Sequence, residues 1–216
     1  MRSERSALRI QRKATVFALG SMLALLGGYS TIAVAAEDPR PQSWATPIAA
    51  IAGLPNLHRV NSLLYRSAQP LKEGFLFLER QLSVSNADRP IKTVLSLRAF
   101  HDNAPLIPES SALRLEQIRF KSWHPEDEDV VKFLRIATTP ALQPVLVHCE
   151  HGADRTGTMV AIYRIVFEGW TKAQATDEMV NGGFGFHPMW KNLIRYIEKL
   201  DVSAIKAQVA AQGDWQ

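Results

Sequence analysis

A short apolar run, Pro144-Val145-Leu146-Val147-His148, constrains the fold of this chain more than any other feature. A run of this length that opens on a proline is too short for a helix, and its continuous apolar character is typical of a strand buried on both faces of a sheet. The next residues contain a glycine and lead into an apolar helical pattern over residues 156–168. A buried strand, a glycine-containing loop and a helix in this order predict an α/β fold.

Short apolar runs alternate with helical periodicities through the rest of the chain, which indicates a mixed sheet covered by helices. Further strands are predicted over residues 63–66, 91–97 and 118–123. Helices are predicted over residues 71–82, 127–137, 156–168 and 171–180, with a final pair from about residue 188.

The first 36 residues account for the whole net charge of +4. Their charged residues are Arg2, Arg5, Arg9, Arg12 and Lys13 against Glu4. An apolar run over residues 14–28 and then Ala33-Val34-Ala35-Ala36 follow, which is the order of a secretory signal peptide cleaved after Ala35 or Ala36. The alternative is an uncleaved membrane anchor over residues 14–36, although its polar and glycine residues make a weak span.

The mature chain is therefore expected to be periplasmic or secreted, with no stable membrane insertion. Residues 37–56 contain four prolines and predict an irregular connecting segment, and residues 57–216 are predicted to form one domain. Because residues 37–216 carry no net charge, nucleic acid is not an expected partner. We expect a monomer.

The only cysteine, Cys149, directly follows the predicted buried strand. Five residues separate it from Arg155, which is a loop short enough to wrap one tetrahedral oxyanion with its backbone N–H groups. The helix that follows directs its N-terminal dipole into the same loop. These groups stabilise a thiolate, so Cys149 is predicted to be a nucleophile. The alternative is a buried structural cysteine with an arginine nearby by chance.

The other residues of this loop suggest how a phosphoryl group is bound. Arg155 supplies a planar fork for two phosphoryl oxygens, and Thr156 can donate a hydrogen bond to the Cys149 sulfur. Gly152 gives the backbone freedom to turn an amide toward the anion. The predicted substrate-binding residues of the loop are Glu150, His151, Gly152, Ala153 and Thr156.

The sequence resembles the cysteine-dependent protein tyrosine phosphatases, in particular their small, dual-specificity-like, secreted bacterial branch. The resemblance covers residues 57–200 and is carried by residues 144–157, by Tyr65-Arg66-Ser67-Ala68-Gln69-Pro70 and by Val94-Leu95-Ser96-Leu97-Arg98. It implies a dual-specificity phosphatase-like fold, in which a central, mostly parallel sheet of about four to five strands is flanked by helices. The phosphate loop is then expected between the last core strand and a helix. It also implies hydrolysis of phosphotyrosine, or of phosphoserine and phosphothreonine, in proteins or small phosphomonoesters. It further implies a reaction through a phosphocysteine intermediate, without a metal or cofactor.

The general acid is the point where the sequence departs from the family, which normally carries an Asp on a separate mobile loop. The corresponding position falls near residues 122–124, where no carboxylate stands. Asp127 and Asp154 are the two candidates for the acid. Asp127 can also be explained as a first-turn residue that interacts favourably with the helix dipole. Asp154 can also be explained as an ion-pair partner of the loop arginine.

Several histidines lie near the motif. The resemblance implies that His148 orients the cysteine through hydrogen bonds to nearby backbone. No metal site is expected, because no His-x-x-x-His spacing connects His124, His148, His151 and His187. Asn181 and His187 are candidates for positioning the hydrolytic water, and the alternative is a glycine helix stop followed by a proline helix start.

Three other functions stay open at this point. The first is a phosphoinositide or inositol phosphate phosphatase, which the scarcity of positive charge beyond Arg155 in the loop disfavours. The second is a phosphate-binding module that has lost turnover. The third is sulfur or arsenate chemistry, which Thr156-Gly157 and the upstream Tyr-Arg-Ser turn disfavour.

Overall fold

A computed structural model of the 216-residue chain describes residues 41–80 and 89–211. The strands are β1 (Thr46–Pro47), β2 (His58–Arg59), β3 (Leu64–Ser67), β4 (Thr93–Ser96), β5 (Arg114–Gln117) and β6 (Val145–His148). The helices are α1 (Lys72–Glu79), α2 (Asp127–Thr138), α3 (Asp154–Phe167), α4 (Lys172–Asn181), α5 (Lys191–Lys199) and α6 (Val202–Ala211). The predicted signal peptide lies outside the described residues. No helix in the described ranges has the length and apolar character needed to cross a membrane.

The six strands form one sheet in the order β1-β2-β3-β6-β4-β5. Strands β3, β6, β4 and β5 run parallel, while β1 and β2 add a short antiparallel pair at the β3 side. This order confirms the predicted central, mostly parallel sheet flanked by helices. Strand β6 comes last in sequence among the described strands, yet it is inserted between β3 and β4, so its end lies in the middle of the sheet.

The side chains of β6 alternate between two cores, as the period of a strand requires. Leu146 packs on one face against Phe75 and Leu78 of α1. Val145 and Val147 pack on the other face, where α2 to α6 complete the larger core. Burial on both faces explains why the sequence of β6 is apolar throughout rather than alternating.

Helix α3 lies at the centre of the larger core. Twelve of its fourteen residues are buried, and it packs against α2, α4, α5 and α6. It begins at Asp154, two residues before the predicted start at Thr156. An acidic residue in the first turn favours the helix dipole, and the earlier start includes Arg155 in that turn.

The strand predicted over residues 118–123 is wrong, since β5 ends at Gln117. Ile118 makes one further hydrogen bond to the carbonyl of Ser96, and the chain then turns away from the sheet. Ile118 and Phe120 are buried in the larger core and give the segment its strand-like alternation. The edge strand β5 is only partly buried, so its sequence lacks the apolar pattern that marks β3, β4 and β6.

A buried ion pair holds α3 against α4. The Arg164 guanidinium donates from Nε and from one terminal nitrogen to Glu178, at 3.0 and 2.8 Å, and its other terminal nitrogen donates to Glu168 at 2.6 Å. Glu178 also accepts the backbone N–H of Ala45, within residues 37–56. Burial alone would lower the pKa of Arg164, but Glu178 and Glu168 outweigh it, so the pKa is raised.

Replacing Glu178 by Ala is expected to destabilise the protein by about 3–5 kcal/mol, because the charge of Arg164 stays buried without its main partner. The matched control is Glu198→Ala on an exposed position of α5, which should change the free energy of unfolding by roughly 0.5 kcal/mol or less. Urea unfolding of both variants measures the difference. Equal destabilisation of the two variants would show that the ion pair does not hold the helices.

Candidate active site

The carboxyl ends of the three central strands lie in one row. Ser67 of β3 and Ser96 of β4 are both the register partners of His148, the last residue of β6. In open parallel sheets, ligands bind outside this edge at the point where strand order reverses, and here the later strand β6 separates β3 from β4. The loop of residues 149–153 leaves the sheet at this edge and leads directly into α3.

Gly152 fits this loop against the turn that follows β3. Its φ is +71°, a left-handed conformation that side-chain-bearing residues rarely adopt. A Cβ atom at this position would lie 2.6 Å from the backbone of both Ser67 and Ala68. Both the conformation and the close approach therefore require glycine.

Three hydrogen bonds hold the same loop from outside. Arg66 donates to the carbonyl of Gly152 at 2.7 Å, the backbone N–H of Gln69 donates to the carbonyl of Glu150 at 3.1 Å, and Asn56 donates to the carbonyl of His151 at 2.9 Å. The Arg66 guanidinium is buried and lies 3.6 Å above the ring of Phe184. The Tyr-Arg-Ser-x-Gln-Pro turn noted in the sequence is therefore a support for the loop after β6.

A chain of hydrogen bonds runs from Arg98 to the backbone of Cys149. Arg98 donates to Gln69 at 3.0 Å, Gln69 donates to the side-chain oxygen of Asn103 at 2.9 Å, and the Asn103 amide lies 2.8 Å from Nε2 of His148. Nδ1 of His148 lies 3.2 Å from the carbonyl of Cys149. Since Asn103 uses its oxygen to accept, its amide nitrogen donates to Nε2, and the proton of His148 is assigned to Nδ1.

Burial lowers the pKa of His148 to about 4, with the positive charges of Arg98 and Arg155 acting in the same direction. His148 is therefore neutral at physiological pH, as the Nδ1–H assignment requires. The Nδ1–H donates to the backbone directly at Cys149, which agrees with the orienting role inferred from the family resemblance.

Cys149 and Arg155 stand at opposite ends of the loop. Cys149 is buried, with 2% of its surface exposed, and Arg155 keeps part of its guanidinium accessible. The Glu150 carboxylate lies 3.9 Å from Arg155 and 3.7 Å from Arg98, between the two guanidinium groups. Arg155 also donates to the carbonyl of Leu97 at 3.4 Å, which directs it across the edge of the sheet.

A cavity of about 260 Å³ opens beside the loop. Its walls come from the loop itself, from the segment before α2 and from the segment before α5. The lining residues are Ser122, Glu150, His151, Asp154, Arg155, His187, Met189 and Trp190. The volume suits a small ligand rather than an extended one.

Asp154 and His187 contact each other in this cavity. One carboxylate oxygen accepts the backbone N–H of His187 at 2.8 Å, and the other lies 2.8 Å from Nδ1 of the His187 ring. Ligand atoms of His151, Asp154 and His187 lie within 4.8 Å of one another. These three side chains could together hold a metal ion, although Nδ1 of His187 and one oxygen of Asp154 already contact each other.

The structure separates the two predicted candidates for the general acid. Asp154 lines the cavity with Arg155, whereas Asp127 accepts a hydrogen bond of 2.6 Å from Tyr196 and is not among the lining residues. Burial and then the neighbouring Asp127 raise the pKa of Tyr196, so its hydroxyl keeps its proton and donates. The predicted hydrogen bond from Thr156 to the Cys149 sulfur is not formed, because Oγ1 of Thr156 is buried without a partner among the described residues.

Sequence reasoning missed Asn103 and gave no role to Gln69. Asn103 is a single loop asparagine 45 positions before its partner His148, and no motif or periodicity marks it. Gln69 belongs to the Tyr-Arg-Ser-x-Gln-Pro turn, and its place in this motif is the sequence signal that could have indicated a role for it. The sequence indicates His187 as a candidate for positioning water, but the contact of His187 with Asp154 joins residues 33 positions apart and leaves no trace in the sequence.

Comparisons with known proteins identify relatives. A family model described as "DSP-PTPase phosphatase fused to NAD+ Kinase" matches residues 56–192. The dual specificity protein phosphatase TpbA of Pseudomonas aeruginosa is 33% identical over 207 residues, covering 95% of this chain and 88% of TpbA. A crystal structure of a TpbA variant in complex with pTyr matches at 32% identity with a TM-score of 0.63, covering 79% of this chain and 98% of that one. The inositol diphosphatase SIW14 of Saccharomyces cerevisiae is 26% identical over 166 residues, covering 74% of this chain and 56% of SIW14.

The buried neutral histidine makes stability depend on pH. The pKa of His148 is about 4 in the folded protein against an ordinary value of 6.5, so between these values the unfolded chain binds a proton that the folded one does not. As the pH falls from 6.5 to 4, His148 should therefore remove on the order of 3 kcal/mol from the free energy of unfolding.

Urea unfolding across this pH range measures the loss, with His148→Gln and His124→Gln as a matched pair. His124 is exposed, so its replacement should leave the pH slope unchanged, whereas His148→Gln should flatten it. Parallel slopes in wild type and His148→Gln would contradict the assignment.

Proposed function

The chain belongs to the dual-specificity and tyrosine phosphatase family, and from this premise we propose that it is an exported phosphatase that hydrolyses phosphomonoesters through a phosphocysteine intermediate. Cys149 is the nucleophile, Arg155 and the loop amides bind the phosphoryl group, and the physiological substrate class is phosphotyrosine, with phosphoserine and phosphothreonine as further candidates. No metal ion takes part in these steps.

The observation that carries this proposal is the position of Cys149 between the central strand and the buried helix of the fold. The residue lies at the carboxyl end of β6, and five residues later Arg155 stands in the first turn of α3. The thiolate and the phosphoryl group would both benefit from the α3 dipole and from the backbone N–H groups of the loop. A purely structural cysteine would need neither the arginine in the first helical turn nor the loop amides around it.

Binding of the phosphoryl group is assigned to the loop residues 150–153, to Arg155 and to Thr156. The planar guanidinium of Arg155 can donate two parallel hydrogen bonds, which gain strength as charge spreads over the equatorial oxygens. The buried hydroxyl of Thr156 has no partner among the described residues, which leaves it available to the sulfur when the phosphocysteine is hydrolysed.

The proton for the leaving oxygen would come from the side of the cavity where Asp154 lies. Asp154 and Arg155 line the same cavity, which supports this side over the position of Asp127. Asp127 is already hydrogen-bonded to Tyr196 and better fits the alternative role of a first-turn residue in α2.

The charge of the loop supports a singly phosphorylated substrate. Glu150 lies between Arg98 and Arg155 and Asp154 lies beside His187, so negative charge lines much of the cavity. A multiply phosphorylated inositol would bring several negative charges into this field, which is unfavourable. The relationship to TpbA, a dual specificity protein phosphatase, points the same way, whereas SIW14, an inositol diphosphatase, keeps the second substrate class as the rival.

Export is part of the proposal, through a signal peptide over residues 1–36. Residues 37–56 would connect it to the phosphatase domain of residues 57–216. A lone reduced cysteine suits this location, because it has no partner for a disulfide within the chain.

Replacing Cys149 by Ser is expected to abolish steady-state hydrolysis of aryl phosphates, because the hydroxyl is a far weaker nucleophile than a thiolate. Arg155→Lys should lower kcat about 100-fold or more, since an ammonium cannot reproduce the planar fork. Release of the phenol measures both, and trapping a phosphorylated protein at acid pH tests the intermediate. Activity retained by Cys149→Ser would overturn the proposed chemistry, and a single burst without turnover in the wild type would indicate a phosphate-binding module.

The substrate class is tested by comparing kcat/KM for a phosphotyrosine peptide, a phosphoserine peptide and inositol phosphates. We expect the phosphotyrosine peptide to be hydrolysed fastest. Glu150→Gln should raise kcat/KM for inositol phosphates more than for the peptide, because it removes negative charge next to Arg155. A wild type that prefers inositol phosphates would favour the rival substrate class while leaving the phosphocysteine mechanism intact.

A further inference from the structure

Asp154 and His187 form a hydrogen-bonded pair in the wall of the cavity, in which both carboxylate oxygens of Asp154 are occupied. Only 6% of the Asp154 surface is exposed, and its two carboxylate oxygens accept separately from the backbone N–H and from Nδ1 of His187, each at 2.8 Å. An ionised carboxylate accepts at both oxygens, which assigns a proton to Nδ1 of the ring.

The other ring nitrogen of His187 is free for chemistry. Nε2 has no hydrogen-bond partner among the described residues, and the side chain, 44% exposed, lines the same cavity as Arg155. Releasing a proton from Asp154 to a substrate would break a hydrogen bond to His187, whereas releasing one from Nε2 breaks none. A histidine oriented by a carboxylate on Nδ1 and open at Nε2 is a recurring arrangement for proton transfer.

We propose that His187 is the general acid of this phosphatase and that Asp154 is the positioning residue that holds its ring. This inference rests on the proposed function, because it assigns the proton donor of the same reaction. His187 thereby takes the role of the Asp that the family carries on a mobile loop. The expected position of that Asp, near residues 122–124, holds no carboxylate in this sequence.

The chemistry balances in both steps. In the first, the Cys149 thiolate forms the S–P bond, the bond from phosphorus to the leaving oxygen breaks, and that oxygen takes its electron pair and the proton from Nε2 of His187. The ring is then neutral and still donates from Nδ1 to Asp154. In the second step, Nε2 takes a proton from water as its oxygen attacks phosphorus, and the S–P bond breaks with its electron pair returning to sulfur.

The charges around His187 suit this cycle. Asp154 is the group in direct contact and stabilises the protonated ring. The His151 ring lies 5.1 Å away, edge to face, and Arg155 and Glu150 line the same cavity as an ion pair at 3.9 Å.

The decisive experiment measures how the rate depends on the leaving group. His187→Asn keeps a side-chain N–H for Asp154 but removes the transferable proton. For phenyl phosphate, whose leaving oxygen needs a proton, kcat/KM, which reports formation of the phosphocysteine, should fall about 100-fold or more. For dinitrophenyl phosphate, whose leaving group is stable as an anion, kcat/KM should change far less, and the acidic group that controls the basic limb of the kcat/KM profile should be lost.

The matched control is His124→Asn, an exposed histidine outside the cavity lining, which should behave as wild type with both substrates. Asp154→Asn should reproduce the leaving-group dependence more weakly, because it misorients the ring without removing it. His187→Ala should regain part of its phenyl phosphate activity when imidazole is added. Circular dichroism spectra and unfolding midpoints establish that the variants are folded.

The inference is overturned if His187→Asn lowers kcat/KM for both substrates by the same factor, or if the leaving-group dependence appears in Asp127→Asn instead. It is equally overturned if chelation of metal ions alters the wild-type dependence, since His151, Asp154 and His187 would then act as metal ligands. Failure of the proposed function has a different signature, namely activity retained by Cys149→Ser or absence of wild-type turnover.

Discussion

The close fit between the loop after β6 and the turn after β3 is the constraint on which the rest of the site depends. Gly152 places its backbone where a Cβ would lie 2.6 Å from Ser67 and Ala68, and Arg66 holds the Gly152 carbonyl from the other side. This contact is possible only because β6 pairs in parallel register with β3, so that both strands end at the same level. The position of Cys149 is therefore set by sheet topology before any loop interaction is counted.

The hydrogen bonds between the polar side chains around this contact all run in one direction. From Arg98 through Gln69, Asn103 and His148, each side chain donates toward the next, and the series ends at the carbonyl of Cys149. A neutral His148 is required at its place, because a protonated ring could not accept from Asn103. Since unsatisfied buried groups cost free energy, the series helps to fix the loop in one conformation rather than merely filling space.

The parts of the structure that sequence could predict are those with a local signal. The strands β3, β4 and β6, the phosphate loop and the flanking helices follow from apolar runs, glycine and the motif, and the family resemblance supplied the parallel order. The edge strand β5 was misplaced because Ile118 and Phe120 alternate without pairing in the sheet. The contacts of Asn103 and His187 could not be predicted, since each joins segments more than thirty positions apart through single side chains.

The segment before α2 is fastened in place, and this makes a proton donor outside that segment physically reasonable. In the family this loop carries the acid and moves, but here two hydrogen bonds fasten it to α5: Asn192 donates to the carbonyl of Ser122, and Tyr196 donates to Asp127, both at 2.6 Å. A segment held in this way cannot bring a carboxylate to the phosphoryl group without breaking both contacts. His187 lies just before α5, already beside the phosphate loop and oriented by Asp154. A proton donor that is fixed to the scaffold reaches its working position without closure of a loop. Proton transfer from His187 would therefore not depend on the loop movement that the family otherwise requires.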